Sequence, residues 1–247
     1  MDLSLDPRDV DAVHRIVAAG MTVIACTGRP FPGALPWVER IGLPGPIVCY
    51  QGAQVRNLDG SVLLDHGIPH HLAMEVVRYA QERNVHIQAY RDDRLIVARD
   101  RPEAHEYAEH ASMAIHVMGD LDEAMGPTTP KLVIVSAPET LEAMLPEARA
   151  RWKGRLNVAT STPDYLEFTS VVSDKASALR FLSDRAGVSQ AEVVAVGDGR
   201  NDASMISWAG LGVAVEGSPS EVIAAADRTI PGPGHGGISL LADLLLA

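Results

Sequence analysis

The segment Val193–Asp202 constrains the possible folds of this chain more than any other stretch. It begins with Val-Val-Ala-Val, an apolar and mostly β-branched run that predicts a short buried parallel strand. Gly197 and Gly199 then flank Asp198, and a helical pattern over residues 203–208 follows Asp202. Ligands of open α/β sheets bind outside the carboxyl ends of the strands. The segment therefore predicts an α/β fold with a polar site where this strand ends.

The two carboxylates of this segment predict a metal site. Asp198 lies at the strand end and Asp202 at a helix start, so both side chains can reach one hard cation. Mg²⁺ suits such a site, because it takes one or two carboxylates and fills its other positions with water and phosphate. A simple turn with a capping aspartate is the alternative. A dinucleotide-binding loop is rejected, because Asp202 stands where the third glycine belongs and would repel a pyrophosphate.

Composition limits the classes of partner. The formal net charge of −11 disfavours a nucleic-acid or anionic-membrane partner, so neither is expected. The 247 residues suffice for one large or two modest domains. Cys26 and Cys49 lie in apolar runs, which predicts reduced core cysteines. No leader pattern or membrane-length apolar run is evident, and we expect a cytoplasmic protein.

A second candidate site follows an apolar run near the N-terminus. Asp6-Pro7 is typical of a helix start, and residues 21–26 predict a buried strand. Thr27-Gly28-Arg29-Pro30 comes next and offers a hydroxyl and main-chain amides to an anion. An ordinary turn is the alternative for this tetrapeptide.

The middle of the chain has a different pattern. Strands joined by short turns are predicted there, which indicates an antiparallel α+β segment. We therefore predict an inserted second domain over residues 68–168, with residues 1–67 and 169–247 forming the main domain. Its histidines show no metal-ligand spacing and are expected at the surface or as hydrogen-bonded core residues: His70, His71, His86, His105, His110 and His116.

Two features of the C-terminal third need explanation. Lys175 stands at a predicted helix start, where the helix dipole favours anions over cations. It needs an anionic partner, or it is solvated. Further on, Ser218-Pro219-Ser220-Glu221 predicts a capping box for the next helix.

Taken in order, these segments resemble the haloacid dehalogenase superfamily of phosphohydrolases, and within it the Cof-type, IIB-capped subfamily. The segments that carry the resemblance are Thr27-Gly28-Arg29-Pro30, Lys175, Gly197–Asp202 and Ala209–Val215. The resemblance implies a Rossmann-like parallel-sheet core with an inserted α+β cap of the C2B type. It also implies a Mg²⁺-dependent phosphohydrolase that acts on small phosphorylated metabolites, such as sugar phosphates, through an aspartyl-phosphate.

The resemblance also implies a role for each matching residue. Thr27 would bind a phosphoryl oxygen through its hydroxyl, with Gly28 and Arg29 beside it. Lys175 would neutralise another oxygen, and a Lys175→Ala change is expected to lower turnover with little loss of stability. Mg²⁺ would be held by Asp198 and Asp202, directly or through water, with Asn201 orienting the bound groups.

One family motif has no match in this sequence. The first motif, Asp-x-Asp-Gly-Thr on the first strand, supplies the nucleophile and the acid/base, and residues 1–6 do not contain it. We therefore expect the first core strand to be missing and to be encoded upstream of Met1. A catalytically inactive protein of this family, which binds a phosphorylated ligand or a protein partner, is the alternative. In a smaller departure, Gln51 stands where relatives usually have Asn.

Overall fold

The computed structural model describes residues 5–247, which fall into two units by their contacts. Unit 1 consists of the residues up to Ala25, residues 38–46 and residues 174–247. Unit 2 consists of residues 26–37 and 47–173. These contact-based units do not test the predicted insertion of a second domain over residues 68–168, which stays a prediction. The first four residues, which belong to the segment without the first motif, lie outside the described part.

Helices and strands alternate along most of the described chain. The helices are α1 (Pro7–Ala18), α2 (Phe31–Ile41), α3 (His70–Glu82), α4 (Pro102–Ala111), α5 (Leu121–Ala124), α6 (Pro138–Arg151), α7 (Lys175–Ala186), α8 (Ala203–Trp208), α9 (Ser220–Ala225) and α10 (Gly237–Leu246). The strands are β1 (Ala25–Cys26), β2 (Ile47–Cys49), β3 (Gln54–Arg56), β4 (Val62–Asp65), β5 (Ile68–Pro69), β6 (His86–Arg91), β7 (Arg94–Val97), β8 (Ile115–Val117), β9 (Thr128–Thr129), β10 (Leu132–Val135), β11 (Leu156–Thr162), β12 (Tyr165–Ser170), β13 (Val194–Gly197), β14 (Leu211–Val215) and β15 (Arg228–Ile230). Among the described helices, none is long and apolar enough to cross a membrane.

The parallel sheet of unit 1 carries the first predicted site. Its strand order is β13-β14-β15, and both neighbouring pairs are parallel. In register, Val194 lies opposite Leu211 and Gly197 opposite Ala214. Among the strands of residues 5–247, β14 is the central strand of this sheet, and β13 pairs with β14. The strand predicted from Val193–Val196 is thus present, shifted by one residue.

The N-terminal and C-terminal helices of unit 1 pack together. The Asp6 side chain accepts a hydrogen bond from the Arg8 amide at 2.9 Å, and Pro7 occupies the first helical position, as the sequence predicted. The apolar face of α1 is buried against α10 through Ala12, Ile16 and Ala242.

Unit 2 is built around a mostly antiparallel sheet with the strand order β11-β12-β10-β6-β7-β8. The core on one face of this sheet includes residues of α3 and α6, with Trp152 packed edge-on against Tyr79 and Phe168. The α+β pattern predicted for the middle of the chain is therefore present. Smaller sheets with the orders β1-β2-β3-β4 and β5-β9 complete the described strands.

A buried ion pair lies on this sheet. The Lys131 ammonium donates to the Glu167 carboxylate at 3.0 Å, and both residues are buried. Burial alone would lower the pKa of Lys131, but the Glu167 carboxylate and the Tyr107 hydroxyl outweigh it and raise this pKa. Loss of one partner would leave an uncompensated buried charge, so the pair ties β10 to β12.

Two local predictions were wrong. The strand expected over residues 21–26 is only Ala25–Cys26, because only these residues are paired as strand. The capping box expected at Ser218–Glu221 does not form: Pro219 is the N-cap of α9, and no side-chain hydrogen bond caps the helix. A proline main chain that already takes the extended conformation required of an N-cap replaces the serine there.

Candidate active site

The turn after β13 holds Asp202 in a buried position. Its Oδ2 accepts hydrogen bonds from the main-chain amides of Asp198 at 3.1 Å and Gly199 at 3.0 Å. The Asp202 amide in turn donates to the Gly199 carbonyl at 2.8 Å. The Asp202 carboxylate therefore closes the turn through its hydrogen bonds, and the shared cation expected for Asp198 and Asp202 stays a prediction.

Both glycines of this turn are needed for space. A Cβ at Gly197 would lie 2.4 Å from the Asp202 Cβ, and one at Gly199 would lie 2.4 Å from the Asn201 Oδ1. Real Cβ atoms do not approach other atoms so closely. The Gly-Asp-Gly sequence thus lets the acidic and amide side chains fold over the strand end.

Lys175 reaches the same carboxylate from the start of α7. The N-cap of this helix is Asp174, whose side chain accepts from the Ser177 amide at 2.6 Å. The Lys175 side chain is buried, and its Nζ donates to the Asp202 Oδ1. The alternative that Lys175 is solvated is wrong.

The pairing changes one expectation about Lys175. Removal of a partner from a buried pair leaves the other charge uncompensated, at a cost of about 3–5 kcal/mol. Lys175→Ala therefore has to destabilise the fold, contrary to the small effect that an exposed lysine would give.

The donor atoms at this turn suit a hard cation. Asp198 and Asn201 are exposed, whereas both oxygens of Asp202 already accept hydrogen bonds. Within residues 5–247, no group of three or more His, Cys, Asp or Glu side chains could hold a metal. Carboxylate and amide oxygens fit Mg²⁺, which takes one or two protein carboxylates and rarely uses an all-protein cage. They do not fit a structural zinc site, which needs four protein ligands.

The histidines of unit 2 pair with other groups. His70 Nε2 contacts Asp122 Oδ1 at 2.7 Å, His86 Nε2 contacts Gln88 Oε1 at 3.1 Å, and His105 Nε2 contacts Asp100 Oδ1 at 2.6 Å. Burial lowers the pKa of His86.

The Thr27 turn, the second candidate site, lies in unit 2. The Thr27 amide donates to the Val48 carbonyl at 2.8 Å, which continues the pairing of β1 with β2. The Thr27 Oγ1 accepts from the Arg29 amide at 3.1 Å. Because this bond uses an acceptor site of the hydroxyl, its proton remains available to donate to another group.

A neighbouring turn was not anticipated from the sequence. Tyr50 and Gln51 both adopt left-handed conformations, with φ of 51° and 61°, directly before Gly52 with φ of 90°. Neither tyrosine nor glutamine is typical of this conformation, so only Gly52 gave a local signal. This turn contacts the Thr27 turn within unit 2.

Comparisons with known proteins identify the class of protein to which these sites belong. The sequence profile of the haloacid dehalogenase-like hydrolases matches residues 2–240, and the chain belongs to this family. The recognition made from the sequence motifs is thereby confirmed.

Particular relatives support the same assignment. The HMP-PP phosphatase of Serratia proteamaculans (strain 568) is 26% identical over 212 residues, which cover 86% of this chain and 77% of that protein. The crystal structure of TM0651 from Thermotoga maritima is 30% identical with a TM-score of 0.87, and the match covers 98% of this chain and 91% of that one. The HAD subclass IIB sugar phosphatase BT4131 shares the fold with a TM-score of 0.82 at 18% identity, over 99% of this chain and 93% of that one. The predicted fold and the enzyme class, a phosphatase by resemblance, are confirmed.

The two aspartates are expected to differ in what they do for stability. Asp202→Asn removes the charge that compensates Lys175 and should lower the free energy of unfolding by about 3–5 kcal/mol. Asp198→Asn, at an exposed side chain of the same turn, should change it by less than about 0.5 kcal/mol. Urea denaturation followed by circular dichroism measures both values. Equal losses in the two variants would contradict the geometry described for Asp202.

Proposed function

We propose that this protein is a Mg²⁺-dependent phosphoric monoester hydrolase for small phosphorylated metabolites. The observation that carries the proposal is the turn after β13, where Asp202 joins Lys175 to the strand end and Asp198 remains exposed. Membership of the hydrolase family and the phosphatase relatives support it.

Each residue has a role that its chemistry supports. A phosphoryl group in transfer carries negative charge on its equatorial oxygens, so catalysis consists largely of positioning and electrostatic stabilisation. The Thr27 hydroxyl donates to one oxygen, with the Gly28 amide beside it, whereas the Arg29 amide already donates to the Thr27 Oγ1. The Lys175 ammonium, held by Asp202, retains further N–H donors for a second oxygen.

A magnesium ion would be held by Asp198 and Asp202, with Asn201 orienting its water ligands. When bound, such an ion neutralises phosphoryl charge and orients the group for in-line attack. Asp198 is the more accessible of the two carboxylates, because hydrogen bonds already engage both oxygens of Asp202. In the proposal, Asp198 therefore carries most of the direct coordination and Asp202 mainly fixes Lys175.

The aspartyl-phosphate mechanism further requires a nucleophilic carboxylate. Neither the Asp-x-Asp-Gly-Thr motif nor an equivalent occurs in residues 1–247. This fact favours the second candidate, a protein that binds phosphorylated ligands without hydrolysing them.

Metal removal tests the enzyme proposal. Phosphate release from a panel of small phosphorylated metabolites should be measured for residues 1–247 and for the same chain preceded by an apolar strand that ends in Asp-x-Asp-Gly-Thr. We expect the extended chain to hydrolyse its substrate in the presence of Mg²⁺. Its turnover rate should fall by several orders of magnitude in excess EDTA, because the ion no longer stabilises the phosphoryl charge.

Three other outcomes are informative. Turnover that persists in EDTA would refute the metal role of Asp198. Activity of residues 1–247 alone would require another nucleophile. Phosphate binding without turnover by either chain would support the ligand-binding alternative.

We also propose that residues 68–168 form the cap domain that selects the substrate. The mostly antiparallel sheet within this segment, unlike the parallel sheet of unit 1, supports its status as a separate domain. Replacement of these residues by the equivalent segment of a phosphatase relative should shift the preferred substrate in the same panel and preserve hydrolysis. A preference that stays unchanged after the replacement would refute the assignment.

A further inference from the structure

The turn formed by Tyr50, Gln51 and Gly52 is strained. All three residues have positive φ, at 51°, 61° and 90°, although only glycine adopts this conformation without steric cost. Strained residues persist where the surrounding structure overdetermines them, and they cluster at functional sites. The position of this turn therefore invites a functional explanation.

Two main-chain hydrogen bonds fasten the strained turn to the Thr27 turn. The Gln51 amide donates to the Thr27 carbonyl at 3.2 Å, and the Tyr50 amide donates to the Arg29 carbonyl at 3.0 Å. The left-handed conformation aims these consecutive amides at the neighbouring loop. Both ends of the Thr27–Arg29 segment are consequently fixed by residues 50 and 51.

The Gln51 side chain fills the remaining side of the segment. A Cβ at Gly28 would lie 2.5 Å from the Gln51 Nε2 and 2.7 Å from its Cδ, so the amide group lies directly against the glycine. Gly28 is not among the glycines with a positive φ. A side chain at position 28 would therefore displace the Gln51 amide, whereas the backbone conformation at this position does not call for glycine.

The segment so held presents Thr27 in one orientation. The Arg29 amide donates to the Thr27 Oγ1 at 3.1 Å, which occupies an acceptor site of the hydroxyl and directs its proton elsewhere. A shift of Gly28 would move Thr27 and Arg29 relative to each other and break this arrangement.

We propose that Gln51 is a positioning residue for phosphoryl binding: its amide packs on Gly28 and fixes the turn that presents the Thr27 hydroxyl. The inference rests on the proposed function, since it takes Thr27 to bind a phosphoryl oxygen. Gln51 acts through the turn, and no chemical step is assigned to it.

Two substitutions separate the amide of Gln51 from its backbone conformation. Gln51→Gly keeps the left-handed turn and removes the amide, whereas Gln51→Asn tolerates the turn and keeps an amide on a shorter side chain. Inorganic phosphate is the probe, and isothermal titration calorimetry of the full chain gives its Kd. Displacement of a binding group by about 1 Å can cost roughly a hundredfold.

The expected results follow from the packing on Gly28. Gln51→Gly should weaken phosphate binding by about ten- to a hundredfold without lowering the unfolding midpoint, since glycine accepts the left-handed conformation, and Gln51→Asn should restore part of the affinity. Gly28→Ala, which puts a methyl group where the amide lies, should weaken binding in the wild-type background and much less in the Gln51→Gly background.

A matched control is available elsewhere in unit 2. Asn84 is an exposed amide residue with φ of 52°, whose Oδ1 accepts from Arg101 at 3.0 Å. Asn84→Gly should leave phosphate binding unchanged.

The opposite results would overturn the inference. Wild-type affinity in Gln51→Gly, or a Gly28→Ala effect that is the same in both backgrounds, would show that the amide does not position the turn. The Thr27→Val variant separates the two proposals. If Thr27→Val weakens phosphate binding and Gln51→Gly leaves it unchanged, only the role of Gln51 is overturned. Unchanged binding in Thr27→Val overturns the phosphate role of Thr27 and, with it, this inference.

Discussion

The buried pair between Lys175 and Asp202 is the interaction on which the candidate site of unit 1 depends. A lysine at the first position of a helix is unfavourable beside the helix dipole, and burial adds a desolvation cost. The Asp202 carboxylate offsets both costs, because its Oδ1 accepts a hydrogen bond from the Lys175 ammonium. Its Oδ2 also accepts hydrogen bonds from two main-chain amides of the turn after β13. One side chain thus joins the start of α7 to the end of β13, and this link fixes where the remaining donors of Lys175 point.

Much of this organisation could be predicted because its signals are local. The helix α1 begins where Asp6-Pro7 predicted it, and β13 lies within one residue of the strand predicted from Val193–Val196. The turn from Gly197 to Asp202 was found from its glycines and carboxylates alone, since each of these residues acts within a few positions of its neighbours. The family motifs added the phosphate-binding roles proposed for Thr27 and Lys175, which no single segment could supply.

The features that were missed depend on contacts between distant parts of the chain. Lys175 and Asp202 are 27 residues apart, so the sequence could show that the lysine needed an anion but could not name its partner. The strand expected over residues 21–26 was too long because apolar composition does not determine how many residues find a partner strand. The left-handed Gln51 gave no local signal, since its conformation is imposed by hydrogen bonds to the Thr27 segment.

The central claim is that Lys175 and Asp202 stabilise the site as a pair, and a double-mutant cycle tests it most directly. Free energies of unfolding in urea should be measured for the wild type, Lys175→Met, Asp202→Asn and the double variant. If the two side chains form the buried pair described here, the double variant should lose less stability than the sum of the single losses, with a coupling energy of about 1–3 kcal/mol. Additive losses would show that the two residues act independently and would contradict this account.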